Sequence, residues 1–362
     1  MTSHRPASVS RLMAAACLAV AAAACARALP AAKYPLDQCR RVALVDAGTG
    51  AVIRGAEDLA LDLARERLIV SAYDRRGAER ALRKRAPSVP QGGLYAISIA
   101  ALAGDDRPVA ASALAHGDDI AGGLRPHGIT YDPITDEIAF INRGYQKLDG
   151  RWRSATRIER IGAGGEVVIG AEVEARCAAN DLARDGEGLL ITFDHSDCGW
   201  RKAVEDALSL RRSGVASENG ATLYDAAAHA NGIVEVEGGD IALAATREKA
   251  VLILERTPEG YAERRRIHVP GGPDNLALAA DGGIIAALHP SLLRMGLHRK
   301  TGFGKSPSRV VNTPLDGAGI EFLFDDPSGA VFSGATAAVE WSGRLILGSA
   351  TDEGLLVCAS RA

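Results

Sequence analysis

Five polar residues open five similar phrases in this chain: Glu57 in EDLALDLARERLIVSAYD, His127 in HGITYDPITDEIAFINRG, Asn180 in NDLARDGEGLLITFDH, Asn231 in NGIVEVEGGDIALAATRE and Asp274 in DNLALAADGGIIAALHP. Two are carboxylates, two are amides and one is an imidazole. If they converge, the acids repel and the amides go unsatisfied unless a cation joins them. Oxygen donors of mixed charge suit Ca²⁺, which takes about six to eight oxygens. Zn²⁺ asks for nitrogen or sulfur in tetrahedral array, and of the five only His127 offers it. The following residues form a second set: the acids Asp58 and Asp181, with Asn275 in reach of either layer. A backbone carbonyl such as that of Ile129 would complete a deeper ion site. The competing reading is that Asn and Asp here merely cap turns, as they commonly do. Five at equivalent places, two of them followed directly by Asp, favour metal.

Each phrase reads as a short apolar strand, a tight turn and a second strand, which is a β-hairpin. The starts lie 70, 53, 51 and 43 residues apart, and a sixth phrase, ATAAVEWSGRLILGSATDEGLLVC, follows 61 residues later at Ala335. It keeps the rhythm but lacks the polar lead. The 320 residues from Cys39 to Cys358 divide into six units of about 53, enough for four short strands and their loops. The predicted fold is therefore all-β, a six-bladed propeller. Equivalent inner strands would then point the polar leads at one central channel. One stretch breaks the pattern: Ala203, Val204, Ala207, Leu208 and Leu210 give a short amphipathic helical period. Residues 201–229 are read as a helical insertion or lid. The basic run RRGAERALRKR at 75–85 reads as a solvated loop, and 291–310 as a further loop that would shape substrate choice.

Forty glycines among 362 residues fit a turn-rich chain. A net charge of −3, without a dominant basic cluster, argues against nucleic acid as partner. Residues 1–28 read as a signal peptide: His4, Arg5 and Arg11, an apolar run from Leu12 to Ala24 too short for a membrane span, then Ala26-Arg27-Ala28. Cys25 is an alternative lipid-anchor site. Loss of the three leader arginines takes the net charge to about −6. The expected location is periplasmic or extracellular, with 29–38 a linker and 39–358 the propeller. Export leaves Cys39, Cys177, Cys198 and Cys358 in an oxidising compartment, where three pairings are open. A 39–358 bridge would tie the chain ends, contributing roughly 5–6 kcal/mol in the chain-entropy model. Cys177 with Cys198 would staple one segment. Four free thiols are the remaining alternative.

The phrases GAEDLALD, RPHGIT, NDLARDGEGLLITFDH, ANGI, DNLAL, LHP and GATAAVEWSGRLILGS, flanked by Cys39 and Cys358, resemble the paraoxonase/arylesterase family over nearly all of the mature chain. The resemblance implies a disulfide-closed six-bladed propeller with two calcium ions, hydrolysing lactones and aryl esters. It implies Glu57, Asn180, Asn231, Asp274 and Asn275 as ligands of an exposed catalytic calcium. It implies Asp58, Asp181 and the Ile129 carbonyl at a buried structural one. His127 matches the family's base, and His195 and His289 match other pocket histidines. The second histidine of the family's dyad is replaced by Arg143, which cannot relay protons at neutral pH but can bind an anion.

These residues suit metal-assisted attack of water on an ester or lactone carbonyl, with His127 as base and Asp274 as second base or nucleophile. No G-x-S-x-G elbow, P-loop or dinucleotide fingerprint is present. The rival readings are a gluconolactonase-like lactonase with a single metal and a calcium-stabilised binding propeller without catalysis.

Overall fold

The computed structural model describes residues 29–104, 107–115, 117, 120, 122–162, 167–172, 179–197 and 199–361. The chain divides into two compact units, 1–31 and Ala32–Ala362, and every described strand and helix belongs to the second. The leader, Cys25, Cys177 and Cys198 lie outside the described residues, and with them the second expected bridge.

Six sheets, antiparallel but for one added strand, stand around one axis. Their inner strands are Ala56–Asp62, Pro126–Asp132, Ala179–Asp185, Ala230–Glu235, Gly272–Leu278 and Ala335–Trp341. Each inner strand touches the next, and the sixth touches the first, so the ring closes. This is the expected six-bladed propeller. The first blade gains a fifth strand, Leu44–Asp46, parallel to Val109–Ala113. The last is completed from the start of the propeller segment: Cys39–Val42 pairs with Leu355–Ala359, placing Cys39 opposite Cys358, and the two are bonded.

The repeated phrase explains the hairpins. The Asp five residues after the polar lead closes the turn in the first three phrases: Asp62 Oδ1 accepts from the Arg65 N–H, Asp132 Oδ1 from Ile134 and Asp185 Oδ1 from Glu187 and Gly188. These are Asx turns. Strands sandwiched between neighbouring blades are apolar on both faces, as in Ile241–Ala245, where every residue is buried. Leu59, Leu68, Val70 and Ile97 of the first blade pack on Ala337, Val339, Ile346 and Val357 of the last. Near the axis the blades approach too closely for a side chain. A Cβ on Gly128 would lie 2.5 Å from Asp181 Cα, and one on Gly232 would lie 2.5 Å from Asp274 O.

Three expectations are corrected. The basic run is a helix, Arg75–Arg83, N-capped by Asp74, whose side chain accepts from the Gly77 N–H. The stretch 201–229 is helical only over Arg201–Leu208; Ser213–Ser217 and Thr222–Ala227 are the outer strands of the third blade. That helix is not packed by its apolar period, since Val204 and Leu208 are exposed and its one buried residue is Glu205. Glu205 instead accepts from the Ser196 N–H at 3.1 Å and from its hydroxyl. Finally, 291–310 contains a helix, Leu292–Thr301, capped by Ser291 and ended by Gly302 at φ 73°. Among the described residues no helix is long and apolar enough to cross a membrane.

The Cys39–Cys358 bridge closes a loop of 319 residues, so its contribution should be roughly 5–6 kcal/mol in the chain-entropy model. Cys358→Ser should therefore shift the urea midpoint strongly downward. Equal midpoints with and without the bridge would mean that strand pairing alone closes the ring.

Candidate functional site

Every inner strand carries a register shift at its first residues: between Ala56 and Asp58, Pro126 and Ile129, Ala179 and Leu182, Ala230 and Ile233, Pro273 and Leu276, and Ala335 and Ala337. A bulge takes the intervening side chain out of the ladder and re-aims it. The residues so displaced are Glu57, His127, Asn180, Asn231 and Asp274, and all five line one pocket of about 410 Å³ at one end of the axis. The sixth position holds Thr336, which lines the same pocket and donates to the Glu57 carbonyl at 2.7 Å. The sixth phrase therefore does supply a polar group, a hydroxyl one residue after its opening alanine.

The next residues lie one level deeper. Asp58, Asp181 and Ile129 line a second cavity, of about 560 Å³, on the opposite face. Each acid bridges two blades: Asp58 accepts from Leu59 and from Ile129 of the next blade, Asp181 from Leu182 and from Ile233 of the next. Burial, then Asp181 and Glu57, push the Asp58 carboxyl well above its usual range. Burial pushes Asp181 up to about 8 against its two N–H donors, with Glu57 and Asp274 adding repulsion.

The donor set fits Ca²⁺. Asn180 Oδ1 and Asn231 Oδ1 are buried with no hydrogen-bond partner, unlike the turn-closing aspartates. They share the pocket with the carboxylates of Glu57 and Asp274. Two orphaned amide oxygens beside two carboxylates form a hard, oxygen-rich cradle. Asn275 lies just below, its amide donating to the Glu57 carbonyl at 3.0 Å.

One cation in the ring is the protein's own. Arg75, at the start of the helix that replaces the expected loop, is buried, and its Nη2 lies 2.9 Å from Glu57 Oε1 and 2.5 Å from His127 Nδ1. Its guanidinium also sits 5.3 Å from the Tyr73 ring centre. His127 Nδ1 is 2.5 Å from Glu57 Oε2. Burial would raise the Glu57 carboxyl, but Arg75 and His127 outweigh it and hold it at about 2. Burial, then the charge of Arg143, lowers His127 to about 3, so it is a neutral imidazole far from the near-neutral value expected of it. Sequence reasoning misses Arg75 because its signal, a basic run, is shared with any solvated helix.

The other predicted pocket residues are also brought here. His289 Nε2 meets Asp274 Oδ2 at 2.7 Å. Arg143 donates to the Ala179 carbonyl at 3.2 Å while lining the pocket. His195 Nδ1 meets Asp194 Oδ1 at 2.6 Å. Burial works against the His195 proton, but Asp194 and Asp206 outweigh it and raise the imidazole to about 9.

Asp181 and His195 bind a proton in the folded chain below about pH 8 and 9, whereas unfolded Asp and His release theirs nearer 4 and 6.5. His195 therefore adds stability as pH falls from 9 to 6.5 and Asp181 as it falls from 8 to 4; His127, depressed to about 3, opposes this only below about 6.5. Calcium-free protein should gain stability on acidification from pH 9 to 6.5, the Asp181 proton adding at most about 1.4 kcal/mol per pH unit below pH 8. Urea titrations with and without Ca²⁺ check this. Calcium should suppress the Asp181 part, and a profile identical in both would separate Asp181 from ion binding.

No family model matches this chain, and no curated protein matches it. Among solved structures it is similar to a catalytically inactive virginiamycin B lyase from Staphylococcus aureus with quinupristin, at 11% identity and TM-score 0.48, covering 89% of this chain and 99% of that one. It is similar to a glucose dehydrogenase at 10% identity and TM-score 0.49, covering 90% and 99%. A protein assigned provisionally as a gluconolactonase gives 13%, TM-score 0.35, and 90% and 92%.

Proposed function

We propose that this protein is an exported, calcium-dependent hydrolase of carboxylic esters or lactones, of the paraoxonase/arylesterase kind. The observation that carries the reading is the pair of buried, unpartnered amide oxygens of Asn180 and Asn231 beside Glu57 and Asp274. Glu57, Asn180, Asn231, Asp274 and Asn275 would hold one Ca²⁺, and Asp58, Asp181 and the Ile129 carbonyl a deeper one. Bound calcium supplies Lewis-acid polarisation of the ester carbonyl and charge for the developing oxyanion.

The chain's own residues do the rest. His127 Nδ1 is contacted by both Glu57 and the donor Arg75, and the tautomer that donates Nδ1–H to Glu57 is the one that leaves Nε2 free to accept a proton from the attacking water. Its depressed basicity makes it a weak base, so its contribution lies at the low end, about 10²-fold. Asp274 fixes the His289 ring and is the second candidate base. Arg143 stays charged and binds an anionic group on the substrate rather than relaying a proton.

Arg75 favours a second reading. By neutralising Glu57 it replaces part of what the outer calcium would do, as suits a propeller with one deep ion that binds an anionic ligand without turnover. Metal content separates the two. About two calcium ions per chain and chelator-sensitive hydrolysis of a simple lactone or aryl ester support the hydrolase. In that case Asn231→Ala should lower kcat/KM by roughly 10²-fold or more, in line with loss of a preorganised oxyanion site. One ion and no turnover support the binding propeller. No calcium at all would remove the basis of both.

A further inference from the structure

Three side chains from separate elements converge at helix Arg201–Leu208. His195 follows strand Gly188–Phe193, Asp206 lies in helix Arg201–Leu208, and His229 immediately precedes strand Ala230–Glu235. Their ligand atoms all lie within 4.8 Å of one another. His195 Nε2 and His229 Nδ1 each stand 3.3 Å from Asp206 Oδ1. Donors held at about 2.0–2.1 Å from a tetrahedral zinc are separated by about 3.3–3.4 Å, so these spacings suit one ion between them.

Two further observations point to a metal rather than to hydrogen bonding alone. His195 is only 8% exposed, and its Nε2 is buried without a hydrogen-bond partner, near the Asp206 oxygen but out of line with it. Its other nitrogen is engaged by Asp194, so an ion that displaces the Nε2 proton would find the Nδ1–H tautomer already fixed, the arrangement of a carboxylate–histidine–metal relay. The two imidazoles meet edge to face at 86°, so both direct a nitrogen at the same oxygen without stacking. His229 is held at φ 61°, a left-handed backbone uncommon for a residue with a side chain. Arg247 now balances the acid, its Nε donating to Asp206 Oδ1 at 2.9 Å from a partly exposed position.

We propose that His195, His229 and Asp206 form a site for one divalent transition ion of the zinc class, separate from the calcium cradle. It shares no ligand with that cradle, so it stands or falls independently of the hydrolase reading. Two nitrogens and one carboxylate leave a coordination place open to the pocket. The ion would pin helix Arg201–Leu208 to the third and fourth blades, where polar contacts now hold it with an exposed apolar face. Arg247 would be its competitor for Asp206.

The test uses the full chain, stripped by chelator and returned to Ca²⁺, then titrated with Co²⁺ and Zn²⁺. Expected are one Co²⁺ per chain with a tetrahedral-type visible absorption, displaced by Zn²⁺, and slower proteolysis within 201–208. His229→Ala and Asp206→Asn should each weaken Co²⁺ binding at least about 10-fold while leaving calcium content unchanged. Arg247→Gln, which removes no ligand, should bind more tightly and serves if the other variants fail to fold. No cobalt band, equal affinity in all folded variants, or weaker binding in Arg247→Gln would overturn the proposal.

Discussion

Burying like charges on one axis is the constraint on which this structure turns. A propeller brings the same position of every blade to the centre, so a repeated polar residue is multiplied into a ring. Asp58 and Asp181 show both sides of this. Each clasps the backbone of the next blade through an N–H bond, which helps hold the ring together. Each is also a carboxylate out of water among other carboxylates, a state that costs several kcal/mol unless a proton or cation joins it. The inter-blade clasp and the electrostatic repulsion thus come from the same atoms.

The chain balances that repulsion differently at different depths. Near the mouth, side-chain cations do the work: Arg75 reaches Glu57, and Arg247 reaches Asp206. Deeper down, among the described residues, the hydrogen bonds to Asp58 and Asp181 come from backbone amides. Fixed guanidinium groups thus stand beside the outer acids and backbone amides beside the inner ones. His127 sits where the two regimes meet, which is why burial and positive neighbours together depress it so far.

Much of this was legible in the sequence because a repeat converts weak local signals into a strong global one. Single Asn or Asp residues before strands are ambiguous, but Glu57, Asn180, Asn231 and Asp274 recur at one place in the phrase, and the bulges aim all of them at the pocket. The same phrase contains aspartates of the other kind, Asp62, Asp132 and Asp185, and these are the turn residues. Position within the repeat separates the two roles where residue type cannot. What stayed hidden lies outside the repeat. The helices Arg75–Arg83 and Leu292–Thr301 grow from loops between blade strands, and in the first the short stripe Ala78, Ala81 and Leu82, which packs against Tyr73 and Val89, is masked by the basic run around it. Arg75 enters the site by tertiary placement alone. In Arg201–Leu208 the apolar period exists, but polar contacts of Glu205 and Asp206 decide which way the helix faces.

The closing blade has a further consequence for how the chain is made. Its outermost strand, Cys39–Val42, is synthesised well before its three partners, which come from the last segments of the propeller. Until those arrive, the early strand has no native edge to pair with and Cys39 no native thiol to meet. Ring closure is therefore a terminal event in biogenesis, completed after five blades can already exist. A chain released before its final thirty or so residues would be an open arc with exposed edges at both ends, a natural substrate for quality control.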